Sequence, residues 1–180
     1  MGIAAENISG LMEMLMDQAK TIRSGYKFSE DEKMMPMAFI NANDELTIVA
    51  MAWKDDDEKR FMARSIQMMA RKQKATSLSF VSDGRKVRTK EFCEYFKIPA
   101  DVSVEAYKTK YFEIMRQYGG VRNLPRHLWH DVLLVFTNGP TIPFSAQTQD
   151  YVEGENDTVK YLATHQSTHH ESDLLTDWWS

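Results

Sequence analysis

The sequence has few of the features that mark secreted and membrane proteins. It has one cysteine, Cys93, so no internal disulfide can form, which is typical of a reducing compartment. No apolar run reaches about 18 residues, the usual minimum for a membrane-spanning helix. The N-terminus has neither the cationic start nor the apolar block of a secretory signal. We therefore expect a cytoplasmic protein (host cytoplasm if the origin is viral) with no membrane contact.

Common catalytic motifs are also missing. The chain has no Gly-rich phosphate loop, no Gly-x-Ser-x-Gly elbow and no HExxH pair. Cys93 is expected to be a small buried hydrophobic residue rather than a nucleophile. The carboxylates of residues 55–58 are explained by a helix start, where negative charge is favourable. These absences favour a protein that is not an enzyme and has no cofactor.

The best-specified stretch is residues 36–82, which predicts strand, turn, strand, helix and strand. Residues 46–53 are apolar at both odd and even positions, which is typical of an interior strand covered on two faces. A helix follows to about residue 74, and residues 76–82 return as a strand. A crossover of this length places the two strands parallel in one sheet.

The flanking segments predict further elements. Apolar residues recur with helical spacing over residues 4–23 and 103–118, and residues 91–98 favour a short helix. Residues 132–136 predict a second interior strand, followed by a hairpin turn at Asn138-Gly139. The return strand from Thr141 contains Pro143 and is therefore expected at an edge; residues 158–164 predict a further strand.

Length and composition fit one globular domain. The chain has 180 residues, of which 43% are hydrophobic and 27% charged, enough to bury a core without disulfides. We predict a single α+β domain over residues 1–164, with a mixed sheet of five to six strands packed by three helices. Residues 165–180 are predicted to be a polar, mobile tail. The twelve methionines are expected mainly as core filler, although methionine also makes adaptable binding surfaces.

A basic stretch and two histidine groups are the candidate polar sites. The net charge of −4 argues against extensive nucleic-acid binding, but a local patch remains an alternative. The basic side chains are either helix-dipole complements with a solvated loop, or phosphate contacts: Arg71, Lys72, Lys74, Arg85, Lys86, Arg88 and Lys90. The histidines are either surface residues, which we favour, or zinc ligands: His127, His130, His165, His169 and His170.

The C-terminal segment ends in two adjacent tryptophans close to acidic residues. They either fold back onto the domain or anchor another protein, since aromatic residues are enriched in interface hot spots. We expect the second arrangement, in which deleting residues 174–180 leaves the melting temperature nearly unchanged. The predicted partner-binding residues are Leu174, Leu175, Trp178 and Trp179.

The first half of the chain resembles small uncharacterised proteins of bacterial and phage genomes. The resemblance lies in the amphipathic first helix, in residues 53–59 (WKDDDEK) and in residues 80–82 (FVS). Those proteins often continue with Glu-Ala-Trp, whereas this chain continues with Asp83-Gly84-Arg85. The resemblance implies a phage-type accessory protein and carries over no catalytic residue.

Three functions remain open at this point. The first is a non-enzymatic interaction protein that binds a host or virion protein, which the missing motifs, the methionines and the terminal tryptophans favour. The second is a metal-assisted hydrolase that uses the histidines. The third is a nucleic-acid-binding module that uses the basic residues of 71–90, which we do not favour.

Overall fold

The structure is a computed structural model that describes residues 8–28, 34–167 and 178–179, and these residues form an α+β fold. The described residues contain four helices: α1 (Ile8–Ser24), α2 (Asp56–Lys72), α3 (Thr89–Tyr95) and α4 (Val104–Tyr118). Their six strands are β1 (Met37–Ala42), β2 (Glu45–Ala50), β3 (Ser77–Val87), β4 (Trp129–Asn138), β5 (Ser145–Glu153) and β6 (Val159–Ser167). None of these helices combines the length and apolarity that a membrane crossing requires.

The six strands form one sheet in the order β2-β1-β3-β4-β5-β6. The α+β class and the strand number are as predicted, but there are four helices instead of three because residues 89–95 form α3. The sheet is antiparallel where a mixed sheet was expected. β2 and β3 do point in the same direction, as predicted, since both run antiparallel to β1, which lies between them.

The prediction that β2 is an interior strand is wrong. β1 pairs with β2 through a two-residue turn, in which Asn43 and Asp44 have positive φ values of 53° and 64°. The other side of β1 is occupied by β3, so β2 is left at the edge of the sheet. The apolar pattern of β2 therefore does not report its position.

The turn after β4 also differs from expectation. Gly139 and Ile142 exchange backbone hydrogen bonds of 2.9 and 3.2 Å, so the connection is longer than a two-residue Asn-Gly hairpin turn. β5 begins at Ser145, so Pro143 lies in the loop before it. β5 lies between β4 and β6 and is not an edge strand, because the proline is outside the hydrogen-bonded ladder.

The chain divides into two compact units. The sheet unit comprises residues 1–83 and 133–180, and the insert unit comprises residues 84–132. In the sheet unit, neighbouring residues of β1 point to opposite faces, so Ile40 belongs to one core and Phe39 to the other. Ile66 and Ala70 of α2 pack with Ile40, whereas α1 packs with Phe39.

Candidate functional site

A cleft of about 650 Å³ in the sheet unit is the best candidate for a binding site. This volume is in the range of about 300–1,000 Å³ that is usual for ligand sites. Its walls come from the chain before β1, the chain after β2, the first turns of α2, and the middle of β3 and β4. The lining residues are Met34, Met35, Pro36, Met51, Ala52, Trp53, Lys59, Phe80, Val81, Ser82, Asp83, Leu134 and Phe136.

The floor of the cleft includes buried residues of both cores. Met34 and Met51 are each only 1% exposed. The Met34 backbone N–H donates a hydrogen bond of 2.9 Å to Asp83 Oδ2, and the Met51 N–H donates one of 2.8 Å to the Pro36 carbonyl. Met35 lies between these anchored positions and is 53% exposed. The cleft thus combines a fixed apolar floor with an accessible, flexible methionine.

One rim of the cleft is formed by the start of α2. Asp55 caps the helix by accepting a 2.8 Å hydrogen bond from the Glu58 N–H, and Glu58 Oε2 accepts one from the Lys54 N–H. Lys59 follows one turn in and places its ammonium 5.7 Å from the centre of the Trp53 ring. All four carboxylates of residues 55–58 are exposed. An apolar cleft therefore opens beside an acidic helix start.

The charges of the two units have opposite signs. The insert unit carries ten Lys and Arg against six Asp and Glu, a net charge of +4. The remaining residues, which form the sheet unit, carry twelve Lys and Arg against twenty Asp and Glu, a net charge of −8. Most of this acid excess falls outside the described residues: the described part of the sheet unit carries eleven Lys and Arg against thirteen Asp and Glu, a net charge of −2. The local feature that favours a cationic partner is therefore the exposed acidic run at the start of α2.

The predicted basic residues fall in both units. In the sheet unit, Arg71 and Lys72 lie in the last turn of α2, where the helix dipole favours cations, and Lys74 follows two residues after the helix. The insert unit holds the other four, of which three are exposed: Lys86, Arg88 and Lys90. The Arg85 guanidinium instead lies 5.4 Å from the Trp129 ring centre and 4.0 Å from Asp131. Nucleic-acid binding by these residues stays a prediction.

The three histidines in the described part of the chain have different surroundings and do not form one cluster. His127 packs edge-on against Tyr95 at 5.7 Å, His130 is half-buried in β4, and His165 Nε2 lies 3.1 Å from Asp150 Oδ2. Within residues 8–28, 34–167 and 178–179, no group of three His, Cys, Asp or Glu side chains is arranged to hold a metal ion. His169 and His170 lie outside these residues, so the metal hypothesis keeps its status as a prediction.

Trp178 is buried in the sheet unit. It is 5% exposed, packs with Phe80 and Leu78, and donates a 2.8 Å hydrogen bond from Nε1 to Asn138 Oδ1. Trp179 is half-buried and packs edge-on against it, with ring centres 5.4 Å apart. This is the fold-back alternative of the sequence analysis. Leu174 and Leu175 lie outside the described residues, and partner binding by the four predicted positions remains untested.

The insert unit has an aromatic core. Phe92 is fully buried and contacts Phe96, Tyr107 and Tyr111 at ring-centre distances of 4.8 to 6.4 Å. Cys93 is half-buried beside this core, and burial raises the pKa of its thiol. The thiol is therefore mainly protonated near neutral pH, which does not suit a nucleophile.

The tyrosines give a test of this packing. Burial raises the pKa of Tyr107 and Tyr111, and also the pKa of Tyr161 in the sheet unit, above the ordinary value of 10.0. In an alkaline titration of the folded chain followed by ultraviolet absorbance, we expect Tyr107, Tyr111 and Tyr161 to ionise above pH 10.0. Because the unfolded chain loses these protons first, the free energy of unfolding should fall as the pH rises above about 10. Tyr107→Phe and Tyr111→Phe should reduce that fall, and a pH dependence of unfolding that is unchanged in both variants would contradict the burial.

Sequence reasoning did not find the cleft. The prediction that methionines mainly fill the core is correct for Met34 and Met51 but not for Met35, which is exposed. The available signal was two methionines directly before Pro36, together with a tryptophan two residues before an acidic run. The chain matches no protein-family model, no curated protein sequence and no solved structure.

Proposed function

We propose that this chain is a non-enzymatic interaction protein whose methionine-lined cleft holds apolar side chains of a partner protein. The carrying observation is the cleft itself, which has an apolar floor, an exposed Met35 and the ring of Trp53. Methionine adapts its shape to different apolar groups, and tryptophan is enriched among interface hot spots. The resemblance to phage and bacterial proteins favours a phage-type accessory factor that acts on a host or virion protein.

The charge around the cleft defines the chemistry of the partner. The four carboxylates of residues 55–58 are exposed and stand at the start of α2, beside the cleft. Charge complementarity sets specificity and association rate at such a surface. The partner segment should therefore present apolar residues flanked by Lys or Arg. A segment flanked by Asp or Glu should be rejected.

Methionine methyl NMR tests this proposal directly, because Met34, Met35 and Met51 line the cleft while Met14 and Met68 lie on exposed helix surfaces. The probes are two synthetic peptides of equal length, one of leucine and lysine and one of leucine and glutamate. We expect the lysine peptide to shift the three cleft methyl signals and leave those of Met14 and Met68 in place. The glutamate peptide should shift none of them.

A matched pair of variants completes the experiment. Met35→Arg places a cation at the exposed side of the cleft and should raise the dissociation constant of the lysine peptide about tenfold or more, about 1.4 kcal/mol. Met14→Arg makes the same change on α1, where the side chain is 43% exposed, and should leave binding unchanged. Equal shifts with both peptides, or shifts centred on Met14 and Met68, would overturn the proposal.

A further inference from the structure

β2 is an edge strand that carries the side chains of an interior strand. Leu46 and Ile48 are 43% and 57% exposed. They lie opposite Asn41 and Phe39 of β1 and therefore share one face of the sheet. On the other face, Val49 packs against the core that includes Ile40. Two large apolar residues thus remain exposed at the border of the sheet.

Among the described strands, β1 alone pairs with β2, so the outer side of the β2 backbone has pairing capacity along this border. The Met51 N–H donates a hydrogen bond to the Pro36 carbonyl. Together with the register of β1 and β2, this bond shows which residues of β2 are hydrogen-bonded to β1. In an antiparallel ladder these pairs alternate, so Glu45, Thr47 and Val49 bond to β1. The alternate residues direct their N–H and C=O groups away from β1: Leu46, Ile48 and Ala50. The exposed apolar side chains and the outward peptide groups therefore belong to the same residues.

β2 itself carries no residue of the kinds that usually block an edge. Protected edges carry lysine, proline or a bulge, whereas residues 45–50 (ELTIVA) contain no proline, no glycine and no cation. The pairing of β2 with β1 is regular throughout. At the opposite edge, β6 carries Lys160 and pairs with β5 through an irregular register between Gln149 and Tyr151. Of the two edges formed by the described residues, the β2 edge is therefore the better suited to regular pairing.

We propose that two copies of this chain pair through β2, antiparallel about a twofold axis at Ile48, so that the sheet continues from one copy into the other. In this register Ile48 lies opposite Ile48 of the second copy, and Leu46 lies opposite Ala50. Apolar side chains then meet on one face, and all outward-facing residues of both strands form hydrogen-bonded pairs. This inference does not depend on the cleft.

The charge pattern favours a second copy in this orientation. The one charged residue of β2, Glu45, stands at its first position. Antiparallel pairing about Ile48 separates the two Glu45 residues by six residues of strand, roughly 20 Å at about 3.3 Å per residue. This distance exceeds the Debye length of about 8 Å at physiological ionic strength. A parallel arrangement would instead place the two carboxylates side by side.

The dimer should be weak and should depend on salt. One six-residue strand from each copy buries less than the roughly 1,200 Å² of a standard interface. Each copy carries a net charge of −4, so repulsion between the copies opposes association at low ionic strength. We expect sedimentation experiments on the full chain to show a reversible monomer–dimer equilibrium. Its dimer fraction should rise with protein concentration and with added salt.

Two lysine variants distinguish the edges. Ile48→Lys places a charge at the twofold axis and should leave only monomer across a hundredfold concentration range. Leu162→Lys makes the corresponding change on β6, where the side chain is 49% exposed, and should dimerise like the parent chain. Circular dichroism should show that both variants remain folded. A parent chain that stays monomeric throughout, or a dimer that survives Ile48→Lys, would overturn the proposal.

Cysteine cross-linking tests the register independently of any effect on folding. In a Cys93→Ser background, Ile48→Cys would face its counterpart across the axis. The expected Cα distance of about 5.5 Å in such a pair is compatible with a disulfide. Leu46→Cys would lie several residues from its counterpart. Mild oxidation should therefore cross-link the Ile48→Cys chain and not the Leu46→Cys chain, and equal cross-linking of both would contradict the register.

Discussion

Trp178→Ala is expected to lower the free energy of unfolding by about 3–5 kcal/mol, the usual cost of truncating a buried aromatic residue. The side chain is 5% exposed, packs with Leu78 and Phe80, and donates its indole N–H to Asn138. For a chain of this length, each kcal/mol lowers the melting temperature by about 2–4 °C. Thermal unfolding should therefore show a decrease of roughly 6–20 °C.

A graded series separates the two contributions of Trp178. Trp178→Phe keeps most of the apolar contact but removes the N–H that bonds to Asn138, so its cost should be clearly smaller than that of Trp178→Ala. Deletion of residues 174–180 removes the same side chain and should destabilise at least as much as Trp178→Ala. An unchanged melting temperature in the deletion variant would show that the tryptophans leave the sheet in solution, which would favour the partner-anchor hypothesis.

The terminal tryptophans show what a local sequence pattern can and cannot predict. Two tryptophans after a polar stretch are consistent with a partner anchor and with a fold-back contact, because the local pattern contains no information about a distant acceptor. That acceptor is Asn138, which lies 40 residues earlier in the chain. The local pattern was sufficient where an element depends on its own residues, as in α2, whose acidic start and basic end occur as predicted.

In β2, the local pattern predicted the type of element but not its place in the sheet. Its apolar residues at odd and even positions correctly predicted a strand and wrongly predicted an interior one. The position of a strand in a sheet depends on which other strands pair with it. β3, about 30 residues further along the chain, pairs with β1 and not with β2, so β2 stays at the edge. The mismatch between pattern and position is itself informative, because an interior-type strand at an edge retains surface that a further strand can cover.

The cleft could not be predicted because it is assembled from distant segments. Met35, Trp53, Ser82 and Leu134 belong to separate stretches, and their convergence depends on the order of β1, β3 and β4 in the sheet. Composition did indicate an adaptable surface through its twelve methionines. It could not indicate which of them stays accessible.

Gly139→Ala is the second substitution with a large expected effect, because there is no room for a β-carbon at this position. Gly139 follows β4, and a Cβ built on it would lie far inside van der Waals distance of the Thr76 carbonyl oxygen. Thr76 is itself held by a 2.8 Å hydrogen bond from its N–H to the Asn41 carbonyl. Backbone would have to move to relieve the contact, so we expect a loss at the upper end of the roughly 1–3 kcal/mol range for overpacking.

Gly10→Ala is the matched control, and its expected effect has the opposite sign. Gly10 lies in α1, is exposed, and a Cβ there would have no heavy atom within 4 Å. Alanine at an exposed helical position is about 1 kcal/mol more favourable than glycine, since it restricts the unfolded chain and favours the helix. Chemical denaturation of the two variants should therefore show Gly10→Ala more stable and Gly139→Ala less stable than the parent chain. A Gly139→Ala protein as stable as the parent would show that Gly139 and Thr76 do not approach as closely as the structure indicates.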